Sequence, residues 1–237
     1  MPWDFALILL VLGVLVPWRG AVRVRQLLAA PQLASADRLA IYASTIALQW
    51  ALTAVVAWRC YARGVGFAAL GVAIPDAQLS LGVAVALTLL LSMMQLASLR
   101  QLAKLPRSEQ GFLGEMARKI LPQDSVEALG FVGLAATVAL CEEFLYRGFV
   151  YAVFERFSDG SAVVSVAGSA ALFSVAHAYQ GRRGIIVTFV VGLLFGGVRA
   201  WTGSLAAPIV AHLITDLLAG LLAPRMLRGG DTEEVKN

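Results

Sequence analysis

Two adjacent glutamates and an arginine interrupt a strongly hydrophobic part of the chain. Glu142, Glu143 and Arg147 all lie within the apolar run from Ala128 to Phe154, which otherwise has the composition of a membrane span. An ionisable side chain at the centre of a bilayer costs about 2.5–3.5 kcal/mol or more, so such side chains usually serve a function. Carboxylates in a nonpolar setting are suited to general acid–base chemistry.

The other candidate side chains lie in later apolar segments. They are the chain's two histidines, His177 and His212, and a further carboxylate, Asp216. Imidazole and carboxylate groups together can move protons, and they can also bind metal ions. We therefore expect Glu142, His177, His212 and Asp216 to form one catalytic site.

The spacing of the first motif distinguishes its two glutamates. Residues four apart share a face of an α-helix, so Glu143 can pair with Arg147. Glu142 is rotated about 100° from Glu143 and has no partner of its own on the helix. We therefore predict that Glu142 is the catalytic carboxylate and that Glu143 and Arg147 support it.

A helical hairpin is expected to bring His177 to Glu142. The sequence Ser158-Asp159-Gly160 predicts a tight turn, and Glu142 and His177 lie at nearly equal distances on either side of it. Antiparallel helices place such residues at the same level. In the last apolar segment, His212 and Asp216 are again four apart. Asp216 can either accept the second ring N–H of His212 or face the site independently.

The elements that carry these residues are predicted to be membrane helices. The sequence is 59% hydrophobic and 14% charged, with a mean hydropathy of +0.77, which is far from the composition of a soluble protein. A span needs about 20 residues. We predict an all-α, polytopic bundle of about seven to eight spans, with candidates at roughly 3–18, 39–58, 79–99, 128–157, 161–179, 184–200 and 204–223.

The distribution of basic residues predicts the orientation of this bundle. With the N-terminus outside and seven spans, most Lys and Arg residues fall in cytoplasmic segments, and the outside segments hold Arg59, Arg63, Arg156 and Arg199. This bias places the C-terminus in the cytoplasm of a bacterial-type inner or plasma membrane. It also accounts for the net charge of +4 without a nucleic-acid partner.

Three further segments have a predicted place in the chain. Gly64–Pro75 can form an eighth, short helix, and Arg19–Arg38 is expected to be a polar link. Ser108–Ile120 has the pattern of an amphipathic helix that lies on the membrane, docks on the bundle or serves as a solvated connector. We divide the chain into supporting helices at 1–126, a catalytic core at 127–224 and a short polar tail at 225–237.

The motifs resemble those of the CPBP family of intramembrane proteases, which includes Rce1-like CAAX proteases and the bacteriocin-processing or immunity (ABI) proteins. The resemblance rests on Glu142-Glu143-x-x-x-Arg147, Phe173-x-x-x-His177 and His212-x-x-x-Asp216. It implies a helical endopeptidase in which Glu142 and His177 activate water. It also implies that His212 and residue 216 stabilise the oxyanion, with Glu143, Arg147 and Phe173 in support. The implied partners are the lipid bilayer and a membrane protein or lipid-modified peptide substrate.

One position departs from the family pattern. The best-studied CAAX-type members carry Asn where this chain has Asp216, whereas Asp is an accepted variant among bacterial members. An ionised Asp cannot donate a hydrogen bond to an oxyanion. Asp216 therefore orients His212, is protonated, or helps to bind a metal. Glu142, His177, His212 and Asp216 would be an acceptable zinc set. We expect no required metal, because a glutamate-activated water needs none.

Other functions fit parts of the pattern. A non-catalytic immunity or scaffold protein can keep the motifs for binding, and a proton-coupled transporter also uses buried Glu, His and Asp side chains. Cys141, next to Glu142, is a candidate nucleophile, although apolar helices commonly hold Cys as a small hydrophobic residue. The leading hypothesis is hydrolysis of a peptide bond near the membrane-proximal C-terminus of a CAAX-type, leader or sorting-signal substrate.

Overall fold

The computed structural model describes residues 1–30 and 32–228, and its regular secondary structure over these residues is entirely helical. The helices are α1 (Trp3–Leu10), α2 (Val16–Ala29), α3 (Ser35–Ala62), α4 (Ala77–Ala103), α5 (Gly111–Ile120), α6 (Ser125–Glu142), α7 (Tyr151–Phe157), α8 (Ala162–Ala176), α9 (Gly181–Thr202) and α10 (Ala206–Arg228). Two π-helical segments, Val11–Leu15 and Glu143–Val150, join α1 to α2 and α6 to α7. Short 3-10 turns at Arg107–Glu109 and Ala178–Gln180 precede α5 and α9.

Six helical stretches of the described chain are long and apolar enough to cross a membrane. They are Trp3–Ala29, Ser35–Ala62, Ala77–Ala103, Ser125–Phe157, Ala178–Thr202 and Ala206–Leu227. The protein is therefore an integral, multi-pass membrane protein with an all-α fold. The predicted span 161–179 corresponds to α8, which has 15 residues. At 1.5 Å per residue it extends about 22 Å, which is less than the ~30 Å hydrocarbon core.

The first crossing is longer than the sequence pattern predicts. The helix that begins at Trp3 continues to Ala29, so most of the expected polar link is helical, and Arg19 and Arg23 lie on this helix. Pro31, which belongs to the same link, lies outside the described residues. The predicted tail 225–237 is described only to Arg228, where it forms the last turn of α10.

The segment between α3 and α4 forms turns instead of an eighth helix. Buried Arg199, which we had placed in an outside loop, lies within α9 and donates to the carbonyl oxygens of Ala69 at 3.0 Å and Ala68 at 3.4 Å. A Cβ at Gly71 would lie 2.2 Å from Nε of Arg199, and Gly71 has φ +70°, which favours glycine. Arg199 therefore ties this loop to the C-terminal half.

The predicted hairpin forms the centre of the C-terminal half. It turns through Asp159 and Gly160, which both have positive φ, and α8 returns antiparallel to the preceding helix. Ser169 of α8 donates to the backbone oxygen of Tyr146 at 2.7 Å. This hairpin gives α8 and the helix before it the register on which the candidate site depends.

Helix α10 packs against α4 and α6, and α3 also packs against α6. A Cβ at Gly220 of α10 would lie 1.9 Å from the ring of Phe131. Only glycine therefore allows α10 to approach α6 this closely. The helix that carries the glutamates is consequently flanked by α3, α8 and α10.

Ion pairs join the helices at both ends of α3. Arg38 makes two contacts with Glu127 of α6, at 2.7 and 2.8 Å, and Glu127 is fully buried. At the other end, Arg59 donates to Asp4 from Nε at 2.8 Å, and Arg63 also pairs with Asp4. Asp4 is thus a buried carboxylate that the sequence motifs did not reveal.

The amphipathic segment forms α5 and is docked on the bundle. Nζ of Lys119 donates to the backbone oxygens of Leu27, Leu28 and Ala30 at 2.7–3.0 Å. These carbonyl groups lie at the C-terminal end of α2, where the helix leaves them without partners. The Tyr42 hydroxyl of α3 donates to the backbone oxygen of Ile120. Of the three alternatives for this segment, the structure therefore shows the docked helix.

Candidate active site

The hairpin brings Glu142 and His177 together. Oε2 of Glu142 lies 4.0 Å from Nε2 of His177, and both side chains are largely buried. Glu142 is the last residue of α6, whereas His177 follows the last residue of α8. The predicted register of the hairpin is confirmed by this contact, although 4.0 Å is too long for a direct hydrogen bond.

Each side chain of this pair is held by a second contact. Nδ1 of His177 lies 2.9 Å from the backbone oxygen of Phe173. Because a carbonyl oxygen only accepts, Nδ1 carries the hydrogen, and in the neutral ring Nε2 is left as an acceptor. Oε1 of Glu142 accepts from Nε2 of Gln49 at 3.0 Å. These contacts direct Oε2 of Glu142 and Nε2 of His177 toward each other.

Glu143 contacts the side chains of Arg147 and His212 through one oxygen. Its Oε1 accepts from Nη1 of Arg147 at 3.1 Å and lies 2.9 Å from Nδ1 of His212. Glu143 and Arg147 are both fully buried. The predicted pairing of Glu143 with Arg147 is therefore present, and Glu143 also reaches His212 directly, which the sequence analysis did not anticipate.

His212 is flanked by two carboxylates. Its Nε2 lies 3.5 Å from Oδ2 of Asp216, which is longer than the contact between Nδ1 and Glu143. The predicted proximity of His212 and Asp216 on α10 is thus present. The closer orienting contact of the ring, however, comes from Glu143.

Phe173 lies between the two halves of the site. Its ring is 4.0 Å from Cζ of Arg147 and 4.5 Å, between ring centroids, from His177. A guanidinium over an aromatic face is stabilised by a cation–π interaction. Nε and Nη2 of Arg147 are buried and have no hydrogen-bond partner among the described residues. The cation–π contact with Phe173 partly offsets the cost of these missing hydrogen bonds. Phe173 consequently supports both Arg147 and His177.

The two glutamates occupy the junction between α6 and a π-helical segment. Glu143 is the first residue of this segment, which runs to Val150, whereas the sequence pattern predicts a continuous α-helix. A π-helical turn adds one residue per hydrogen-bonded ring and is frequent at functional sites. At this junction Glu142 faces His177 and Glu143 faces His212, so the predicted division between the glutamates is retained.

The two pairs belong to one cluster. Asp216 lies within electrostatic range of His212, Glu142, His177 and Glu143. Two further groups of the same cluster, Gln49 and Tyr179, were missed by the sequence analysis. Tyr179 lies near Glu142 and Asp216, and its ring centroid is 5.8 Å from that of His177. Neither carries a motif that would have identified it.

The donor atoms were also tested as a metal site. Within residues 1–30 and 32–228, no three His, Cys, Asp or Glu side chains are arranged to hold a metal ion. Zinc ligands must approach one point within about 2.0–2.3 Å, whereas the two histidines here face different carboxylates. The arrangement of these residues does not fit a zinc ion. Cys141 has a fully buried side chain and forms no disulfide.

Comparison with known proteins finds a family match for part of the chain. Residues 124–218 match the family model of type II CAAX prenyl endopeptidase Rce1-like proteins. No curated protein and no solved structure matches the chain. The matched segment contains Glu142, His177, His212 and Asp216, but not Gln49. Over residues 124–218 the chain is therefore similar to the Rce1-like proteins of the CPBP family, which is a family of proteases.

Proposed function

We propose that this protein is an intramembrane endopeptidase in which Glu142 and His177 activate a water molecule. The observation that carries this proposal is the 4.0 Å separation between Oε2 of Glu142 and Nε2 of His177. One water molecule fits between two polar atoms at this separation and can bond to both. The match to an endopeptidase family over residues 124–218 supports the same reaction class.

The geometry suggests how the water is activated. Nε2 of His177 and Oε2 of Glu142 are both acceptors, so one water can donate a hydrogen to each. Its oxygen lone pairs then remain free to attack the scissile carbonyl carbon. Glu142 takes the proton as the new C–O bond forms, and it returns this proton to the leaving nitrogen as the C–N bond breaks.

His212 is proposed to stabilise the oxyanion of the tetrahedral intermediate. Its Nδ1 donates to Glu143 at 2.9 Å, so Nε2 carries a hydrogen to donate only when the ring is protonated. In the proposed mechanism His212 is therefore the protonated imidazolium between Glu143 and Asp216, and Nε2 is its second donor. A preorganised donor of this kind acts where charge develops in the transition state. Asp216, 3.5 Å from Nε2, helps to orient the His212 ring. It does not itself donate a hydrogen bond when it is ionised.

The proposed reaction uses no metal. The glutamate and histidine supply both the base and the hydrogen bonds that a water nucleophile needs, and the donor atoms are not arranged around a single point. Arg147 and Phe173 act indirectly, because they fix Glu143 and His177.

The proposed substrate is a membrane protein or lipid-modified peptide that is cut near its membrane-proximal C-terminus. A CAAX-type substrate is suggested by the matched family, and leader or sorting-signal peptides are the alternatives. We also propose a bacterial-type inner or plasma membrane with the C-terminus in the cytoplasm. This orientation counts α8 as a seventh crossing in addition to the six long helical stretches, because six crossings alone would place both ends of the described chain on the same side of the membrane. A span as short as α8 is accommodated by local thinning of the bilayer.

The proposal is tested by reconstituting the protein in liposomes with three peptides. These are a prenylated CAAX-type peptide, the same peptide without the lipid, and a leader-type peptide, with products identified by mass spectrometry. We expect wild type to cleave at least one of them and Glu142→Gln to cleave none. Glu115→Gln, which changes a half-exposed glutamate of α5, is the matched control and should retain activity. Absence of wild-type cleavage, or equal cleavage by Glu142→Gln, would overturn the proposal.

A further inference from the structure

A side chain from outside the family-matched segment contacts the proposed catalytic carboxylate. Gln49 lies on α3, and its Nε2 donates to Oε1 of Glu142 at 3.0 Å. The two residues are 93 positions apart in the chain. The matched segment begins at residue 124, so this contact belongs to the part of the chain that the family match does not cover.

The contact divides the two oxygens of Glu142 between two tasks. Oε1 is bound by Gln49, whereas Oε2 points to Nε2 of His177 at 4.0 Å. Rotation about the terminal bond of a glutamate side chain is soft, so the carboxylate plane is not fixed by its own rotamer. A hydrogen bond to Oε1 supplies the missing constraint and directs Oε2 to the proposed water site.

An amide is chemically suited to this position. Gln donates a hydrogen bond without bringing a positive charge, so it leaves the negative charge of Glu142 available to the base reaction. Arg147 cannot replace it, because its Nη1 is bound to Glu143. Gln49 and the Phe173 carbonyl have corresponding roles. Gln49 binds the oxygen of Glu142 that does not face His177, and the Phe173 carbonyl binds the nitrogen of His177 that does not face Glu142.

The helix that carries Gln49 is firmly attached to α6. The next residue, Trp50, donates from Nε1 to Oγ1 of Thr137 at 3.2 Å. The same two helices are joined at one end by Arg38 and Glu127. The position of the Gln49 amide is therefore fixed by the α3–α6 interface, independently of the α8 hairpin.

We infer that Gln49 is a positioning residue, which holds the Glu142 carboxylate in the orientation that reaches the water shared with His177. This inference rests on the proposed function. It assigns to α3 a direct part in the site, in addition to supporting the bundle.

The kinetic test compares Gln49→Met with wild type in liposomes, using a peptide that wild type cleaves. Met has nearly the same length as Gln but cannot donate. A hydrogen bond to a charged group corresponds to a fall of about ten- to a hundredfold in kcat when it is lost. We expect this fall with an unchanged KM and an unchanged unfolding temperature. Gln49→Asn, whose amide is one methylene too short, should behave in the same way.

Trp50→Phe is the matched control, because it removes a hydrogen bond of the same α3–α6 interface without touching Glu142. It should retain the wild-type kcat. Wild-type kcat in both Gln49 variants would overturn the inference. An equal fall in Gln49→Met and Trp50→Phe would also overturn it, since that result indicates a general requirement for the interface.

An infrared measurement separates this inference from the proposed function. The difference spectrum between the wild-type protein and Glu142→Gln isolates the carboxylate bands of Glu142. We expect these bands to shift when the same difference is recorded in the Gln49→Met background. Unshifted bands would overturn the inference even if the protein is a protease, whereas a shift without any cleavage by wild type would overturn the proposed function alone.

Discussion

Oε1 of Glu143 lies 2.9 Å from Nδ1 of His212, which makes the second glutamate of the motif a direct neighbour of the second histidine. The same oxygen accepts from Arg147 at 3.1 Å. Glu143 therefore serves two purposes, because it neutralises a buried arginine and also holds the ring that we propose as the oxyanion donor. These two purposes can be separated by mutation.

Glu143→Leu should destabilise the protein strongly. It leaves Arg147, which is fully buried, without a counter-charge, and breaking a buried ion pair costs about 3–5 kcal/mol. The double variant Glu143→Leu/Arg147→Met removes both charges and should recover most of that stability, as measured by thermal unfolding in detergent micelles. Its kcat should remain low, because His212 has lost its partner. Full recovery of activity in the double variant would contradict the role assigned to Glu143.

Asp216→Asn should have a kcat within a few-fold of the wild-type value. Asn has the same size as Asp, and its amide can donate a hydrogen bond where an ionised carboxylate cannot. Asp216→Leu should lower kcat by about tenfold or more, because it removes the polar group 3.5 Å from Nε2 of His212. Loss of activity in Asp216→Asn would show that the negative charge itself is needed.

Metal chelators should leave cleavage unchanged. Nδ1 of His177 is committed to a backbone carbonyl and Nδ1 of His212 to Glu143, and their Nε2 atoms face different carboxylates. Cleavage rates are measured before and after treatment with 1,10-phenanthroline. An inhibition that added zinc reverses would show that the site rearranges around a metal ion, and it would refute the metal-free mechanism.

Local patterns predicted the contacts that lie within one hairpin or one helix. The tight turn at Asp159 and Gly160 fixes the level of His177 relative to Glu142, and a spacing of four residues is enough to pair Glu143 with Arg147. The all-helical membrane fold likewise followed from hydropathy. These features depend on residues that are close in the chain or share a short connection.

The remaining contacts depend on how distant helices pack. The approach of Gln49 to Glu142 is set by the α3–α6 interface, and that of His212 to Glu143 requires α10 to pack near the π-helical segment. No local sequence signal specifies either contact. Arg199 was misplaced for a related reason, since its burial depends on the carbonyl groups of a loop about 130 residues earlier.

The proposed orientation can be tested by labelling single cysteines from either side of the membrane. Both native cysteines are buried, so background labelling should be low. Ser108→Cys, in the loop before α5, should react only with a reagent that enters the cytoplasm. Asp159→Cys, in the hairpin turn, should react with a membrane-impermeant maleimide added to whole cells. The reverse pattern would invert the proposed topology.

The central claim is that Glu142 and His177 activate water as one unit, and the most direct test is the kcat of Glu142→Gln, His177→Ala and their double variant on a cleaved peptide. A base that takes part in proton transfer contributes about 10²–10⁴-fold, and residues that act as a unit are strongly non-additive. We predict that each single variant loses activity by this order and that the double variant is no slower than the worse single variant. Wild-type kcat in either single variant, or losses that multiply in the double variant, would contradict the account.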